Sequence, residues 1–217
     1  MIAVDGTSGS GKSSTSRRVA DALGLAYLDT GSMYRAATWW MVSHGVDTSS
    51  EHDVAAKAAE GSIEAGSDPL APTILLDGVD VSEEIRSDMV NAHVSLVARV
   101  PAVRTRLVQI QRDAIAKATQ GIVVEGRDIG SVVWPDADLK LYLTADPSAR
   151  AARRTLEAGG ADVAATEASL AARDIIDSTR TTAPLVQADG AVTIDSTYLT
   201  LDEVVGQVLD LVAGLPR

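Results

Sequence analysis

The chain of 217 residues has no cysteine and no phenylalanine. Without cysteine there are no disulfide frameworks, no thiolate zinc sites and no sulfur nucleophile. The absence fits a reducing compartment. Without phenylalanine, the core must rest on Val, Leu, Ile and Ala, although hydrophobic residues still make up 46% of the chain. Positive charge is scarce: 19 Lys and Arg stand against 30 Asp and Glu, for a net charge of −11. So acidic a chain is a poor sequence-independent binder of nucleic acid, and any phosphate site must be built locally from placed cations and backbone amides. No apolar run approaches the ~20 residues that span a bilayer. The N-terminus has no basic lead and no signal-like apolar stretch. The reading is a soluble cytoplasmic protein whose domain begins at Met1.

A chain of this length accommodates one large domain, or one domain carrying inserts. Met1 to Val4 is a short apolar run entering a glycine turn at Asp5-Gly6, which reads as a buried strand. Ser13 to Leu23 has helical spacing, and Gly24 is placed to end that helix. A second short strand is expected at Ala26 to Leu28, then a helix from Ser32 to His44. Thr73 to Leu76 and Val79 to Val81 flank Asp77-Gly78, a strong hairpin signal that belongs to an insert between about Gly45 and Pro101. Helices are expected at Ser87 to Ala98 and Val103 to Thr119, the latter ended by Gly121. Ile122 to Val124 and Leu139 to Leu143 read as strands, and Ser148 to Ala158 and Ala164 to Thr179 as helices. Ala191 to Ile194 is the last strand and Leu201 to Val212 the last helix. Strands alternating with helices imply an α/β fold: a parallel sheet flanked by helices.

Gly6-Thr7-Ser8-Gly9-Ser10-Gly11-Lys12-Ser13 follows the first strand and opens the first helix. This is the spacing of a P-loop, the cradle of a nucleotide triphosphate. Its glycines let the backbone bring several N–H groups to an anion, and the helix adds its positive end. Lys12 can reach the β- and γ-phosphates, and Ser13 can offer its hydroxyl to Mg²⁺. The alternative is a glycine-rich turn that only caps a helix. No Asn-Lys-x-Asp guanine signature occurs, and the chain is short for a motor or transporter. Small-molecule kinases therefore lead.

Three other clusters bear on the reaction. Asp29-Thr30-Gly31-Ser32-Met33-Tyr34-Arg35 lies at the carboxyl end of the second strand, where open α/β sheets bind ligands. There Arg35 can grip a phosphate, or stand as a surface arginine on an ordinary turn. Glu125-Gly126-Arg127-Asp128 follows a buried strand, where such enzymes place an acid near the metal or the acceptor. Arg127 can bind phosphate and Asp128 can orient or accept a proton, or the two can form a surface pair. Arg150, Arg153, Arg154, Arg173 and Arg180 cluster late in the chain. A mobile lid can carry such cations to a phosphoryl transition state, although some of them could simply pair with Glu157, Asp162 or Asp174.

With these stretches in order, the chain resembles the bacterial cytidylate kinases over nearly its whole length. The likeness extends through Val81 to Arg86, Ser95 to Ala98, Pro101 to Arg104, Gly126 to Gly130 and Val133 to Ala137. It continues through Arg173 to Arg180, Ala183 to Leu185 and Asp195 to Thr197. Ser13 stands where some relatives carry glycine, Thr30 where serine is commoner and Glu125 where aspartate is commoner. The resemblance implies a P-loop kinase fold with a core at 1–44, 102–146 and 181–217, a monophosphate-binding insert at about 45–101 and a short helical lid at about 147–180.

The resemblance also implies phosphoryl transfer from ATP, with Mg²⁺, to CMP or dCMP. It puts Gly6 to Ser13 on ATP, with Ser13 toward the metal. Lys12, Arg127, Asp128, Arg153 and Arg173 become the catalytic candidates. Arg35, Arg127 and Arg180 then hold the CMP phosphate or sugar, with Thr30 and Tyr34 beside them, while Ser95, Arg104 and Asp177 read cytosine and its sugar. A monomer is expected, with no nucleic acid or membrane partner. The rival readings are a small kinase for UMP or another metabolite, and a nucleotide-binding regulatory module without transfer activity.

Overall fold

The structure is a computed structural model that describes residues 1–157, 160, 162–179 and 185–215; the side chains at 157, 173 and 177 lie outside that description. In chain order its first elements are β1 (Ile2–Gly6), α1 (Lys12–Leu23), β2 (Ala26–Asp29), α2 (Thr30–Ser43), α3 (Glu51–Ala56), β3 (Ile63–Ala65), β4 (Ile74–Leu76) and β5 (Val79–Asp80). After a 3₁₀ turn at Glu84–Arg86 come α4 (Asp88–Ala98), α5 (Pro101–Lys117), β6 (Ile122–Glu125), a π-helical turn at Ile129–Val133 and β7 (Leu139–Thr144). The last are α6 (Pro147–Glu157), α7 (Val163–Thr179), β8 (Val192–Asp195) and α8 (Leu201–Ala213). The chain forms two compact units, Met1–Leu25 with Val123–Arg217, and Ala26–Ile122.

The first unit is built on parallel strands in the order β6-β1-β7-β8. Every residue of β1 and of β6 is buried. Their near-continuous apolar sequences are what a parallel strand covered on both faces requires. β7 instead alternates, burying Leu139, Leu141 and Leu143. The helix α1 buries Val19 and Ala20 and packs with α8. It ends where Gly24 turns left-handed (φ 64°) and returns its N–H to the carbonyls of Ala20 and Asp21. A reciprocal cap between Thr200 and Glu203 starts α8.

The second unit packs α2 against α4 and against the antiparallel sheet β3-β4-β5. Asp77 (φ 51°) and Gly78 (φ 79°) form the expected two-residue turn between β4 and β5. The Asp77 carboxylate also accepts the Ser62 N–H at 2.7 Å, next to β3. That third strand was not expected: three residues are too few to show a period. The short helix α3, capped by Ser50, was missed for the same reason. The helix expected from Val103 starts two residues earlier, because Pro101 occupies a first-turn position that needs no N–H. It stops at Lys117 rather than near Gly121.

Arg106 on α5 donates to the carbonyls of Ala58 (2.9 Å) and Glu60 (2.6 Å), and also to that of Gly61. Arg99 meets Glu51 at 3.4 Å, and Thr48 bonds His93 at 2.6 Å. The segment from 48 to 61 is thus fastened to α4 and α5 by side chains rather than by strand pairing. Among the described residues, no helix is long and apolar enough to cross a membrane.

Gly6 ends β1 at φ 144°, and a Cβ there would lie 1.9 Å from the Leu143 carbonyl oxygen of β7. Gly6→Ala is therefore expected to part β1 from β7 and cost at least about 3 kcal/mol. Gly24→Ala, with open space around it, should cost only about 1 kcal/mol through its backbone angle. Urea unfolding midpoints of the two variants measure the contrast.

Candidate functional site

The loop between β1 and α1 is defined by what holds its carbonyls. Arg127 Nη1 donates to the Gly6 oxygen at 2.8 Å. The Thr7 oxygen accepts from Lys12 Nζ at 2.7 Å and from the Ser10 hydroxyl at 2.9 Å. Arg150 Nη1 takes the Ser8 oxygen at 3.0 Å, and the Ser196 hydroxyl takes the Ser10 oxygen at 3.0 Å. In a trans peptide the N–H points opposite its carbonyl. Gripping the carbonyls of residues 6, 7, 8 and 10 therefore turns the amides of residues 7, 8, 9 and 11 the other way. Gly9 (φ 76°) and Gly11 (φ 87°) provide the left-handed angles that this path needs. A curved row of amides at a helix start is an anion cradle.

Cations surround that row. Arg150 is buried, spends Nε on the Ala145 carbonyl and pairs with Asp174 of α7 at 2.5 Å. Asp174 lies 3.8 Å from Arg127. Arg153, one turn along α6, bonds the Ser196 hydroxyl at 2.9 Å, and its Nη1 lies 4.0 Å from where a Cβ on Gly11 would stand. Lys12 is pulled down to about 8, first by loss of solvent around its ammonium and then by the charge of Arg127, while Glu125, Asp5 and Asp174 act the other way. A site that crowds cations in this way is suited to a polyanion, which would relieve the repulsion.

The Ser13 hydroxyl donates to Glu125 Oε2 at 2.9 Å, and Glu125 is only 3% exposed. A hydroxyl beside a carboxylate is an oxygen set that suits Mg²⁺, an ion that keeps most of its waters and shares ligands with phosphate. The residues fit the ion, though among the described residues no cluster of three or more His, Cys, Asp or Glu could hold a metal unaided.

Below the loop, Asp5 is 2% exposed and accepts the N–H groups of Ile129 and Gly130, each at 2.8 Å. Burial raises its carboxyl to about 6, and the charge of buried Asp128 pushes the same way, against those two hydrogen bonds and Lys12.

In the second unit, Asp29 caps α2 by accepting the Ser32 N–H at 3.1 Å, which fixes the turn that carries Thr30, Tyr34 and Arg35. Arg35 Nη1 donates to the Ile85 carbonyl at 2.8 Å and to Asn91 Oδ1 at 2.9 Å. Ser95 lies one turn further along α4 than Asn91, on the same face. Arg104 is 3% exposed, bonds the Ala98 carbonyl at 3.3 Å and places its guanidinium 5.6 Å from the centre of the Tyr34 ring. A cation over a ring is favourable, more so when desolvated.

The fold thus gathers Lys12, Ser13, Arg127 and Arg153 around the loop, with Asp128 beneath it. Separately, it gathers Tyr34, Arg35 and Arg104 in the second unit, with Ser95 beside Arg35's partner. The backbone of Arg173 and Asp177 lies in α7, but their side chains, like the whole of Arg180, lie outside the described residues. Arg150 is one of the late arginines to which the sequence assigns no site, some of which are expected merely to pair with acids. Arg150 does pair with Asp174, but while gripping the loop. Asp5, Ser196 and Asn91 were missed as participants. Their partners lie up to 186 residues away, beyond any local spacing.

A parallel sheet flanked by helices, with this loop between its first strand and first helix, defines the P-loop nucleotide-binding class. Solved structures of that shape agree in fold. A gluconokinase from Sinorhizobium meliloti 1021 superimposes with a TM-score of 0.50 at 16% identity, over 98% of this chain and 90% of that one. A shikimate kinase from Acinetobacter baumannii in complex with shikimate gives 0.50 at 13%, over 98% and 92%. The cytidylate kinase family model matches residues 2–214, and the chain belongs to that family. A cytidylate kinase from Streptomyces griseus subsp. griseus is 55% identical over 214 residues, covering 99% of this chain and 93% of that protein.

Because folding raises the Asp5 carboxyl from 3.8 to about 6, the folded state holds its proton more tightly than the unfolded state. The stability this confers is complete below about pH 4 and is lost as pH rises through 6. Its size is about 3 kcal/mol. Chemical denaturation of the wild type and of Asp5→Asn from pH 4 to pH 7 checks this. The wild type should lose stability relative to the variant by about that amount across the window.

Proposed function

We propose that the chain transfers the γ-phosphoryl group of ATP to CMP or dCMP, yielding ADP and the nucleoside diphosphate. The observation that carries this reading is the phosphate loop in a chain that matches the cytidylate kinase model almost end to end. On this reading the loop amides and Lys12 bind the donor phosphates. Ser13 and Glu125 would hold Mg²⁺, which would supply charge neutralisation at the transferring group. Arg127, Arg153 and Arg173 add cations as charge redistributes in the transition state. The acceptor is already an anion at neutral pH, so no strong base is needed. Asp128 then orients the acceptor rather than driving proton removal.

Arg35 and Arg180 hold the CMP phosphate or sugar, with Thr30 and Tyr34 beside them. Ser95, Arg104 and Asp177 read the cytosine and its sugar. Cytosine presents a ring carbonyl, an acceptor nitrogen and an amine. An arginine and a hydroxyl can donate to the first two, and a carboxylate can accept from the amine. Uracil replaces the acceptor nitrogen with a donor, which would leave a buried donor facing another and penalise UMP. In keeping with the family, the segment at about 45–101 serves as the monophosphate-binding insert and about 147–180 as the lid. We read the enzyme as a cytoplasmic monomer acting on free nucleotides.

Lys12→Ala is expected to lower turnover by about 100-fold or more, and near-normal CMP-dependent ADP formation in that variant would refute the mechanism. Arg104→Ala should raise the Michaelis constant for CMP at least about tenfold, with that for ATP changed by less than about twofold. Equal effects on both would remove Arg104 from the base site. The panel that tests the function itself runs CMP, dCMP, UMP and other monophosphates with ATP, with and without Mg²⁺, in a coupled ADP assay. ADP formation strictly dependent on CMP or dCMP and on the metal is expected; ATP binding with no turnover on any acceptor would leave only a regulatory module.

A further inference from the structure

The π-helical turn Ile129–Val133 starts directly after Arg127 and Asp128, and its first N–H groups need acceptors from outside the turn. An aspartate in the preceding position usually provides one with its own carboxylate. Asp128 holds that position and does not: its side chain makes no capping hydrogen bond. The acceptor comes instead from β1. Asp5 Oδ1 takes the Ile129 N–H and Oδ2 takes the Gly130 N–H, both at 2.8 Å. The Asp128 contribution to the turn is made by its backbone, whose carbonyl accepts from Val132 at 2.9 Å and Val133 at 3.2 Å. The turn is also confined on its other side. A Cβ on Gly130 would meet the Lys140 side chain at 3.2 Å and Ala188 at 3.3 Å.

Two carboxylates buried side by side are costly, so capping by a remote residue needs a reason. If Asp128 capped its own turn, Asp5 would be unnecessary in that role, and the Asp128 carboxylate would be spent on backbone. With Asp5 in place, the Asp128 carboxylate is kept out of that duty. The same chain segment carries Arg127, which grips the loop at Gly6, one residue after Asp5.

We propose that Asp5 is a positioning residue for phosphoryl transfer: by capping the Ile129–Val133 turn from the neighbouring strand it holds Asp128, and with it Arg127, in working orientation. This rests on the functional reading of Asp128 given above. The groups facing Asp5 are Asp128 from the turn, Lys12 from the start of α1 and Tyr142 from β7. Removing the cap invites Asp128 to swing onto the N–H groups of its own turn.

The test is a cycle of Asp5→Asn, Asp128→Asn and the double variant, assayed with CMP and ATP, together with amide exchange of Ile129 and Gly130. Asp5→Asn should lower kcat by about 10- to 100-fold, with the ATP Michaelis constant within about threefold. In the Asp128→Asn background the same change should cost less than about twofold, since the group it orients is already gone. Exchange at Ile129 and Gly130 should be slow in the wild type and in Asp128→Asn, and faster in Asp5→Asn. Losses that multiply independently, or an unchanged kcat in folded Asp5→Asn, would overturn the proposal. If Asp5→Asn does not fold, the wild-type amide shifts of Ile129 and Gly130 decide the cap: they should titrate together near pH 6, and flat shifts would overturn it. If the wild type fails to phosphorylate CMP, the functional reading is lost, while exchange and titration still report the cap by themselves.

Discussion

The constraint on which the donor site depends is the grip on the loop carbonyls. Backbone amides are strong donors only if their peptides are turned the right way, and a glycine-rich loop has no intrinsic reason to stay turned. Here the loop is held from three directions: Arg127 after β6, Arg150 on α6, and Ser196 after β8. Each of these elements joins the parallel sheet or directly follows one of its strands. Sheet register therefore becomes loop conformation, and loop conformation becomes a row of aligned dipoles. Such preorganisation is what makes an electrostatic site effective, because nothing has to reorient when charge develops.

The same arrangement sets up an electrostatic conflict. Loss of solvent, and after it the charge of Arg127, depresses Lys12, and Asp5 is buried beside Asp128. The acids Glu125 and Asp174 offset part of this, Asp174 by pairing with Arg150 at 2.5 Å and lying 3.8 Å from Arg127. A net acidic protein thus keeps a small cationic focus whose charges are not optimal for one another. Their arrangement makes sense for a bound polyanion, and strain of this kind is expected at functional sites rather than in the bulk core.

Much of this was legible in the sequence where the physics is local. The β1–loop–α1 unit follows from an apolar run, three glycines and a lysine in fixed order, and the hairpin follows from Asp77-Gly78. Gly24 ends α1 as its position demands. What was not legible is long-range. Nothing near Asp5 shows that its partners are the amides of residues 129 and 130, and nothing near Ser196 points to Ser10. Ile129-Gly130-Ser131-Val132-Val133 has the composition of a strand, yet forms a π-helical turn whose first two N–H groups are taken by Asp5. Ile63 to Ala65 has too few residues to announce a strand, and becomes one by pairing with β4. Family resemblance gave the residues their proposed roles, but not the side chains that orient them.

On the proposed reading, specificity for cytosine depends on Arg104 being buried rather than merely charged. An exposed guanidinium could trade a lost contact with the base for water at little cost. One that is 3% exposed, over the Tyr34 ring and anchored to the Ala98 carbonyl, has no such recourse. A base that presents a donor where an acceptor is needed then leaves an N–H unsatisfied in a dry site, and that penalty exceeds the value of the bond itself. Discrimination of this kind grows with burial, so the packing of α2, α4 and α5 around Arg104 contributes to selectivity beyond the contacts their own side chains make with the nucleotide. The second unit is in this sense the counterpart of the loop. On the proposed reading, carbonyls are held in one so that amides can bind phosphate, and in the other a guanidinium is dried so that it can tell one pyrimidine from another.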